Sequence, residues 1–278
     1  MAIETLAFGY GLVEGPRCDA ADNLYFSDVR NGGVYRRAPD GEITTVVPKR
    51  RGVGGIALHA DGGVVVSGKN VCHVRDGQTR LLFAPADVPG FNDLFCDAAG
   101  RVYTGSMRSD PFEPTGPRTP GEAYRIDGEG RATLLYGDVS LTNGIGFSPD
   151  GAILYHVDSA PRCIVAHDAR RDGSVTNRRV FAVLDPGLTP DGLAVDEDGG
   201  VWVAVVDGGC VRRFTPAGAP DLRIDVPATF VTSLCFGGAD RRDLYIVTAD
   251  NTDDASRRGT IFRTRSPYAG ATVHPARV

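Results

Sequence analysis

The segment FSPDGAILYHVD, residues 147–158, indicates the fold because its pattern recurs along the chain. It joins apolar residues to a turn that contains Asp and Gly, and then to a strand rich in Leu, Tyr and Val. In such turns Asp bonds to its own backbone and Gly accepts a positive φ. The pattern therefore predicts two short antiparallel strands joined by a tight turn.

Five other segments repeat this unit on both sides of it. They are CDAADNLYFSD from Cys18, LHADGGVVVSG from Leu58, CDAAGRVYTG from Cys96, VDEDGGVWVAV from Val195 and FGGADRRDLYIV from Phe236. The second residues of the six units are spaced by 40, 38, 51, 48 and 41 residues. A period of this length with strand–turn–strand content is typical of a β-propeller. Since most units continue into a third and a fourth strand, residues 1–278 predict one all-β domain, a six-bladed β-propeller with four antiparallel strands per blade.

The last unit supplies only three strands after Thr232. We expect the segment Ile3–Phe8 to provide the fourth strand, which would close the ring and cover an exposed sheet edge. The segment after Pro267 is the alternative candidate for that place.

The composition excludes several classes of partner. Net charge is −5, and the basic run Lys49–Arg51 is short, which favours a solvated loop over a nucleic-acid site. No run of 18 apolar residues predicts a membrane span, and residues 1–10 lack the regions of a signal peptide. The six cysteines form no C-x-x-C pair and are expected to be reduced. We expect a cytoplasmic protein that acts on a small molecule.

A set of polar residues lies five positions before the second residue of each unit. The six positions hold Glu14, Gly54, Asn92, Asn143, Asp191 and Thr232. The first strands of propeller blades line the central channel, so these residues would form a ring at one mouth. For any one of them, capping of a turn is the alternative role.

Two carboxylates in one channel would repel each other and take up protons unless a cation lay between them. Carboxylate and amide oxygens suit Ca²⁺, Mg²⁺ or Mn²⁺, and Zn²⁺ can also accept carboxylates. We therefore predict one divalent cation, with calcium as the first candidate and zinc, manganese or magnesium as alternatives. No G-x-S-x-G or H-x-x-x-H motif occurs to indicate another chemistry.

Segments throughout the chain resemble the gluconolactonase/regucalcin (senescence-marker-protein) family of six-bladed propellers. The matching segments are LVEGPRCD (12–19), FNDLFCDAAGRVYTGSM (91–107), TNGIGFSPDGAILYHVDS (142–159), PDGLAVDEDGGVWVAVVDGG (190–209) and TSLCFGG (232–238). The resemblance implies that Glu14, Asn143 and Asp191 hold the metal, residues that the repeat had already placed in the ring.

The resemblance also implies substrate contacts. The family's Asn of its F-N-D segment corresponds to Asn92, and an acidic substrate-binding residue corresponds to Asp110. Members that act on sugar lactones often carry Arg two residues before that Asn, where this chain has Gly90. This departure makes a hexonolactone substrate uncertain. Arg108 is the candidate to supply the missing donor, and a solvated loop position is its alternative role.

The function that follows is hydrolysis of a lactone by a metal-dependent hydrolase. The metal would polarise the lactone carbonyl, Asp191 would act as general base, and Asn92 would orient the substrate. Two alternatives remain open. One is another hydrolytic or non-hydrolytic reaction at the same metal, because sites are grafted on folds. The other is a non-catalytic propeller that binds calcium or a protein partner.

Overall fold

The structure, a computed structural model, describes residues 2–110, 118–249 and 259–278. Across these ranges the regular elements are 24 strands in six four-stranded antiparallel sheets, without any helix. The sheets are the blades of a six-bladed β-propeller, which confirms the predicted fold. In these same ranges there is accordingly no helix that could cross a membrane.

The strands of each blade run from the channel outward in chain order, except in the blade that the N-terminal strand completes. The innermost strands, which contact one another around the axis, are β2 (Val13–Cys18), β6 (Ile56–Leu58), β10 (Gly90–Cys96), β14 (Thr142–Phe147), β18 (Pro190–Val195) and β22 (Phe230–Gly237). The second strands are β3 (Leu24–Asp28), β7 (Val64–Val66), β11 (Val102–Met107), β15 (Ile153–Asp158), β19 (Val201–Val205) and β23 (Asp243–Ala249). The third strands are β4 (Val34–Arg37), β8 (Val71–Arg75), β12 (Gly121–Ile126), β16 (Cys163–Ala169), β20 (Cys210–Phe214) and β24 (Gly259–Arg265). The outermost strands are β5 (Ile43–Val47), β9 (Gln78–Phe83), β13 (Ala132–Val139), β17 (Val175–Val183), β21 (Pro220–Asp225) and β1 (Glu4–Tyr10).

The N-terminal strand closes the ring, as the sequence predicts. β1 pairs antiparallel with β24, from Glu4 opposite Arg263 to Tyr10 opposite Gly259. The sixth blade therefore combines the N-terminal strand with the last three strands of the chain in the order β1-β24-β23-β22. This pairing protects an edge that would otherwise be open to another strand.

The segment Ser266–Val278 does not compete for that edge. It crosses the face of the propeller at which the innermost strands end. Ala271 donates to Val195 O at 2.9 Å, Ala276 to Leu58 O at 2.7 Å and Arg277 to Gly100 O at 2.8 Å. A cavity of about 110 Å³ lies between this segment and the ends of five innermost strands, all except β6. We call this face the closed face and the opposite one the open face.

The core lies between the blades. Val201, Val203 and Val205 of β19 are fully buried and belong to one cluster with Tyr155 and Val157 of the preceding blade. All six cysteines are free, as expected, and five of them are buried. Packing of each sheet against the next fixes the innermost strands around the channel, and thereby the side chains at its open face.

Candidate active site

The ring residues stand at or just before the starts of the innermost strands. Five of the six strands shift their register there, and β6 instead begins two residues after Gly54. The shifts lie between Glu14 and Arg17, Phe91 and Leu94, Thr142 and Ile145, Pro190 and Leu193, and Val231 and Ser233. A β-bulge bends its strand and re-aims a side chain. The bulges therefore turn these side chains out of the ladder at the open face.

Glycine follows four of the six ring residues, and the structure gives the reason. A Cβ on Gly144 would lie 2.4 Å from Leu193 N, and a Cβ on Gly192 would lie 2.1 Å from Ser233 Oγ. A Cβ on Gly55 would lie 2.4 Å from Leu94 N. Neighbouring innermost strands thus approach each other too closely for a side chain. This close approach keeps the ring narrow.

Hydrogen bonds between neighbouring blades align the starts of the innermost strands, and so the ring residues, with one another. Ser27 donates to Val53 O at 2.6 Å and Ser159 donates to Pro190 O at 2.6 Å. Thr232 donates to Val13 O at 2.6 Å, which joins the sixth blade to the first. The hydroxyl proton of Thr232 is used in this contact, so its role in the ring is structural.

The two acids of the ring, Glu14 and Asp191, are both 9% exposed. Burial raises the pKa of Glu14 well above its usual range, and the charges of Asp191 and Asp93 raise it further. Burial also raises the pKa of Asp191, with Asp93 as the next cause. The Asp191 carboxylate accepts no hydrogen bond from the described residues, while Glu14 accepts one from Gly15 N at 3.1 Å. The described residues therefore give these two buried carboxylates too few cations and hydrogen-bond donors to stabilise their charges.

The amide of Asn143 is oriented by two neighbours. Its Nδ2 donates to Ser159 Oγ at 2.8 Å, which directs Oδ1 away from that serine. Asn92 Nδ2 donates to Asn143 Oδ1 and, at 2.8 Å, to Thr142 O. The structure thus brings Asn92 and Asn143 together, and the amide oxygen of Asn143 shares the ring with the two acids.

A buried ion pair lies in the channel below the ring and was missed in the sequence analysis. Arg17 Nη2 is 3.4 Å from Asp93 Oδ1 and donates to Leu94 O at 2.9 Å. The Arg17 guanidinium also lies 5.2 Å from the centre of the Phe95 ring. Burial raises the pKa of Asp93, and Arg17 opposes that rise. The signal in the sequence is that Asp93 follows a ring residue, at a position where four other blades have glycine.

These residues fit a hard divalent cation by the chemistry of their donors. Two buried carboxylates, one of them without any donor in the described ranges, share the ring with an amide oxygen fixed by its neighbours. A cation would remove the electrostatic cost that raises the pKa of both acids. Across the same ranges, no three His, Cys, Asp or Glu side chains are grouped as a metal site. The candidate centre is thus two carboxylates and one amide.

The outer candidates lie on the third blade. Arg108 donates to Glu122 Oε1 at 2.8 Å and to Asp87 O at 2.9 Å, so its guanidinium is engaged by neighbours on the rim. Asp110 is exposed and is the last described residue before residue 118. Gly90 is buried at the start of β10. Roles of Asp110 and Arg108 in substrate binding remain predictions.

Comparison with known proteins gives consistent matches over most of the chain. Residues 12–250 match the family described as the SMP-30/Gluconolactonase/LRE-like region. The pentonolactonase XacC of Haloferax volcanii is 33% identical over 240 residues, which is 84% of this chain and 79% of that protein. The 6-deoxy-6-sulfogluconolactonase of Pseudomonas putida is 33% identical over 89% of this chain and 88% of that protein. The calcium-binding protein regucalcin from Agrobacterium tumefaciens has the same fold, with a TM-score of 0.86 at 23% identity over 100% of this chain and 97% of that one.

Proposed function

This chain belongs to the SMP-30/gluconolactonase/LRE-like family, and from that premise we propose that it is a metal-dependent lactonase acting at the ring. The observation that carries the proposal is the pair of buried acids, Glu14 and Asp191, whose charges lack sufficient partners. Relatives that are named lactonases support a lactone as the substrate class. The three-ligand centre leaves room for a substrate oxygen.

Glu14, Asn143 and Asp191 would hold the cation. Their oxygens are the ligands that Ca²⁺, Mg²⁺ and Mn²⁺ prefer, and calcium is our first candidate. When bound there, the ion would act as a Lewis acid on the lactone carbonyl. Asn143 can hold its place because Ser159 and Asn92 fix its amide, and partners of this kind commonly tune ligand geometry.

Asp191 is the candidate general base for the attacking water. It carries no competing hydrogen bond from the described residues, so its oxygens are available to a water or to a cation. Burial raises its pKa, and a neighbouring positive charge would bring that pKa back down. These opposing effects suit a base, which works best when its pKa is near the operating pH.

Asn92 is the candidate that orients the substrate. Its amide nitrogen is held by Thr142 and Asn143, which leaves its Oδ1 as the free acceptor on that side chain. Gly54 makes space for this oxygen, since a Cβ there would lie 2.0 Å from Asn92 Oδ1. An acceptor at this place can receive a hydroxyl of the lactone.

The test is hydrolysis of a panel of lactones by the purified protein, before and after treatment with a chelator. We expect turnover that the chelator abolishes and that a divalent cation restores. Glu14→Ala and Asp191→Ala should lose both the bound ion and the activity. Asp207→Ala is the control, because that exposed carboxylate lies on the same face and outside the ring.

The outcomes separate the proposal from its alternatives. Tight metal binding without turnover of any lactone would favour a non-catalytic binding protein. Full activity in chelator would refute the metal dependence and leave the family activity to another mechanism. Stoichiometric metal in both alanine variants would show that the ligand assignment is wrong.

A further inference from the structure

The rim of the open face carries a group of cations next to the ring. β3, β5 and β7 all run toward this face, so the segments that follow them, 29–33, 48–55 and 67–70, lie there. These segments hold both lysines of the chain, Lys49 and Lys69, together with Arg50 and Arg51. Lys49, Arg51 and Lys69 are exposed. We call these four residues the basic rim.

Carboxylates do not neutralise the basic rim. Arg50 donates to Ser67 O at 3.2 Å and to Asn70 Oδ1 at 2.7 Å, which are uncharged acceptors. Among the residues that the structure describes, no acid pairs with Lys49, Arg51 or Lys69. By contrast, Arg108 on the neighbouring blade is paired with Glu122 and Asp87. The unpaired cations of this region therefore belong to the basic rim, in a chain whose net charge is −5.

Backbone contacts place part of the basic rim directly beside the ring. Phe91 N donates to Gly68 O at 2.7 Å, and Gly68 N donates to Phe91 O at 3.2 Å. Lys69 directly follows Gly68, and Gly68 pairs with Phe91, the residue before Asn92. Arg51 O lies 3.5 Å from the place that a Cβ on Gly68 would occupy. Arg51, Lys69 and Asn92 therefore lie on three backbone segments in contact.

Gly90 lies at the same junction. Gly68 O is 3.3 Å from the place of a Cβ on Gly90, so the segment that carries Lys69 packs against this glycine. Because Gly90 has no side chain, the positive charge at this edge of the site comes from the neighbouring segments that carry Arg51 and Lys69. A lysine and an arginine on the backbone segments beside Gly90 suit an anion better than they suit a neutral hydroxyl, because they act through charge as well as hydrogen bonding.

We propose that Arg51 and Lys69 bind an anionic substituent on the lactone, so that the preferred substrate is a carboxylated or sulfonated lactone. The inference rests on the proposed lactonase function and adds the charge of the substrate to it. The ring acts on the ester, and the basic rim receives the negative group at the far end of the molecule. A concentration of unpaired cations at the mouth also draws an anion toward the site.

The experiment compares three lactones that differ at one position. D-glucono-1,4-lactone is neutral, D-glucaro-1,4-lactone carries a carboxylate, and 6-deoxy-6-sulfogluconolactone carries a sulfonate. We expect a higher kcat/KM for at least one anionic lactone, and the carboxylate and sulfonate arms identify which anion fits. The preference should shrink in 0.5 M salt, where the screening length is about 4 Å.

Variants assign the preference to the basic rim. Lys69→Gln and Arg51→Gln should each lower kcat/KM for the anionic lactone by about 3–10-fold, mainly through KM, and leave the neutral lactone unchanged. Lys69→Arg should retain most of the preference. Arg75→Gln is the control, because it removes one exposed charge at the end of β8, on the closed face.

Three results would overturn the inference. The first is turnover of the neutral lactone with no preference for either anionic one. The second is an equal effect of Lys69→Gln on all three substrates. The third is no turnover of any of the three while another lactone of the panel is hydrolysed, which refutes this inference and leaves the lactonase proposal standing; failure of the whole panel refutes the lactonase proposal instead.

Discussion

Replacing Asp191 with Asn should stabilise the metal-free protein, and the gain should grow with pH. In the wild type, burial and the nearby Asp93 raise the pKa of Asp191. The folded protein therefore retains a proton that the unfolded chain loses above the usual Asp pKa of about 4. Stability that depends on this proton is present below that pH and is lost as pH rises toward the folded pKa. Asn cannot ionise, so the variant does not incur this loss.

The size of the effect follows from linkage. One proton bound only by the folded state changes the free energy of unfolding by at most about 1.4 kcal/mol per pH unit. Between pH 5 and pH 7 the variant should therefore gain up to about 2.7 kcal/mol relative to the wild type. At about 2–4 °C per kcal/mol for a chain of this size, that difference corresponds to roughly 5–10 °C in Tm. Buried His156, whose pKa burial lowers to about 3, has the opposite pH dependence, but it is common to both proteins and cancels in the comparison.

The assay is denaturant unfolding of both proteins in chelator, from pH 5 to pH 7. Asp185→Asn is the control, because the Asp185 side chain is 76% exposed and should give a curve parallel to that of the wild type. Added Ca²⁺ should reverse the order and favour the wild type, since a ligand stabilises the state that binds it. Parallel curves for Asp191→Asn and the wild type in chelator would refute the reasoning, since they would mean that the folded protein holds no extra proton at Asp191.

Three further predictions test the packing around the ring. Ser159→Ala should weaken binding of the divalent cation by about 10–100-fold in calorimetric titrations, because Ser159 fixes the amide of Asn143. Ser27→Ala is the control, because it removes a similar bond between blades but touches no proposed ligand side chain. Its metal affinity should stay within about twofold of the wild type. Gly192→Ala should cost about 1–3 kcal/mol in chemical unfolding, because the new methyl would lie 2.1 Å from a serine oxygen of the next blade. Gly137→Ala, where nothing lies within 4 Å, should stay within about 0.5 kcal/mol, and equal effects at the two glycines would contradict this reading. Titration of the denatured protein should return six thiols, since all six cysteines are free, and a lower count would reveal a disulfide.

The repeat predicts the architecture because each blade contains the same strand–turn–strand unit. A turn that contains Asp recurs at intervals of 38 to 51 residues and identifies the hairpin of each blade, and counting back from it locates the start of each innermost strand. Counting back places Glu14, Asn143 and Asp191 in the ring with three other residues, and the family resemblance then selects these three as the predicted metal ligands. The N-terminal strand was predicted from a missing fourth strand in the last blade, and β1 fills that place.

Contacts between blades could not be predicted, because they depend on which segments meet around the axis. The repeat places Thr232 in the polar ring, yet its hydroxyl donates to Val13 O in the first blade. Arg17 follows Glu14 by three residues and looks like an exposed cation, but it is buried against Asp93 from another blade. The segment after Pro267 has no pattern that distinguishes a fourth strand from a cover over the channel.

Closure of one face by the segment Ser266–Val278 has a kinetic consequence. With that face covered, substrate and product of the proposed reaction would share the passage at the open face, so a new lactone would approach only after the previous product has departed. Opening a lactone creates a carboxylate, and the departing molecule therefore carries one more negative charge than the arriving one. The positive potential of the basic rim would then attract the product more strongly than the substrate. An enzyme built in this way is expected to slow as its product accumulates, and its flux in a cell depends on how quickly a following reaction removes the acid.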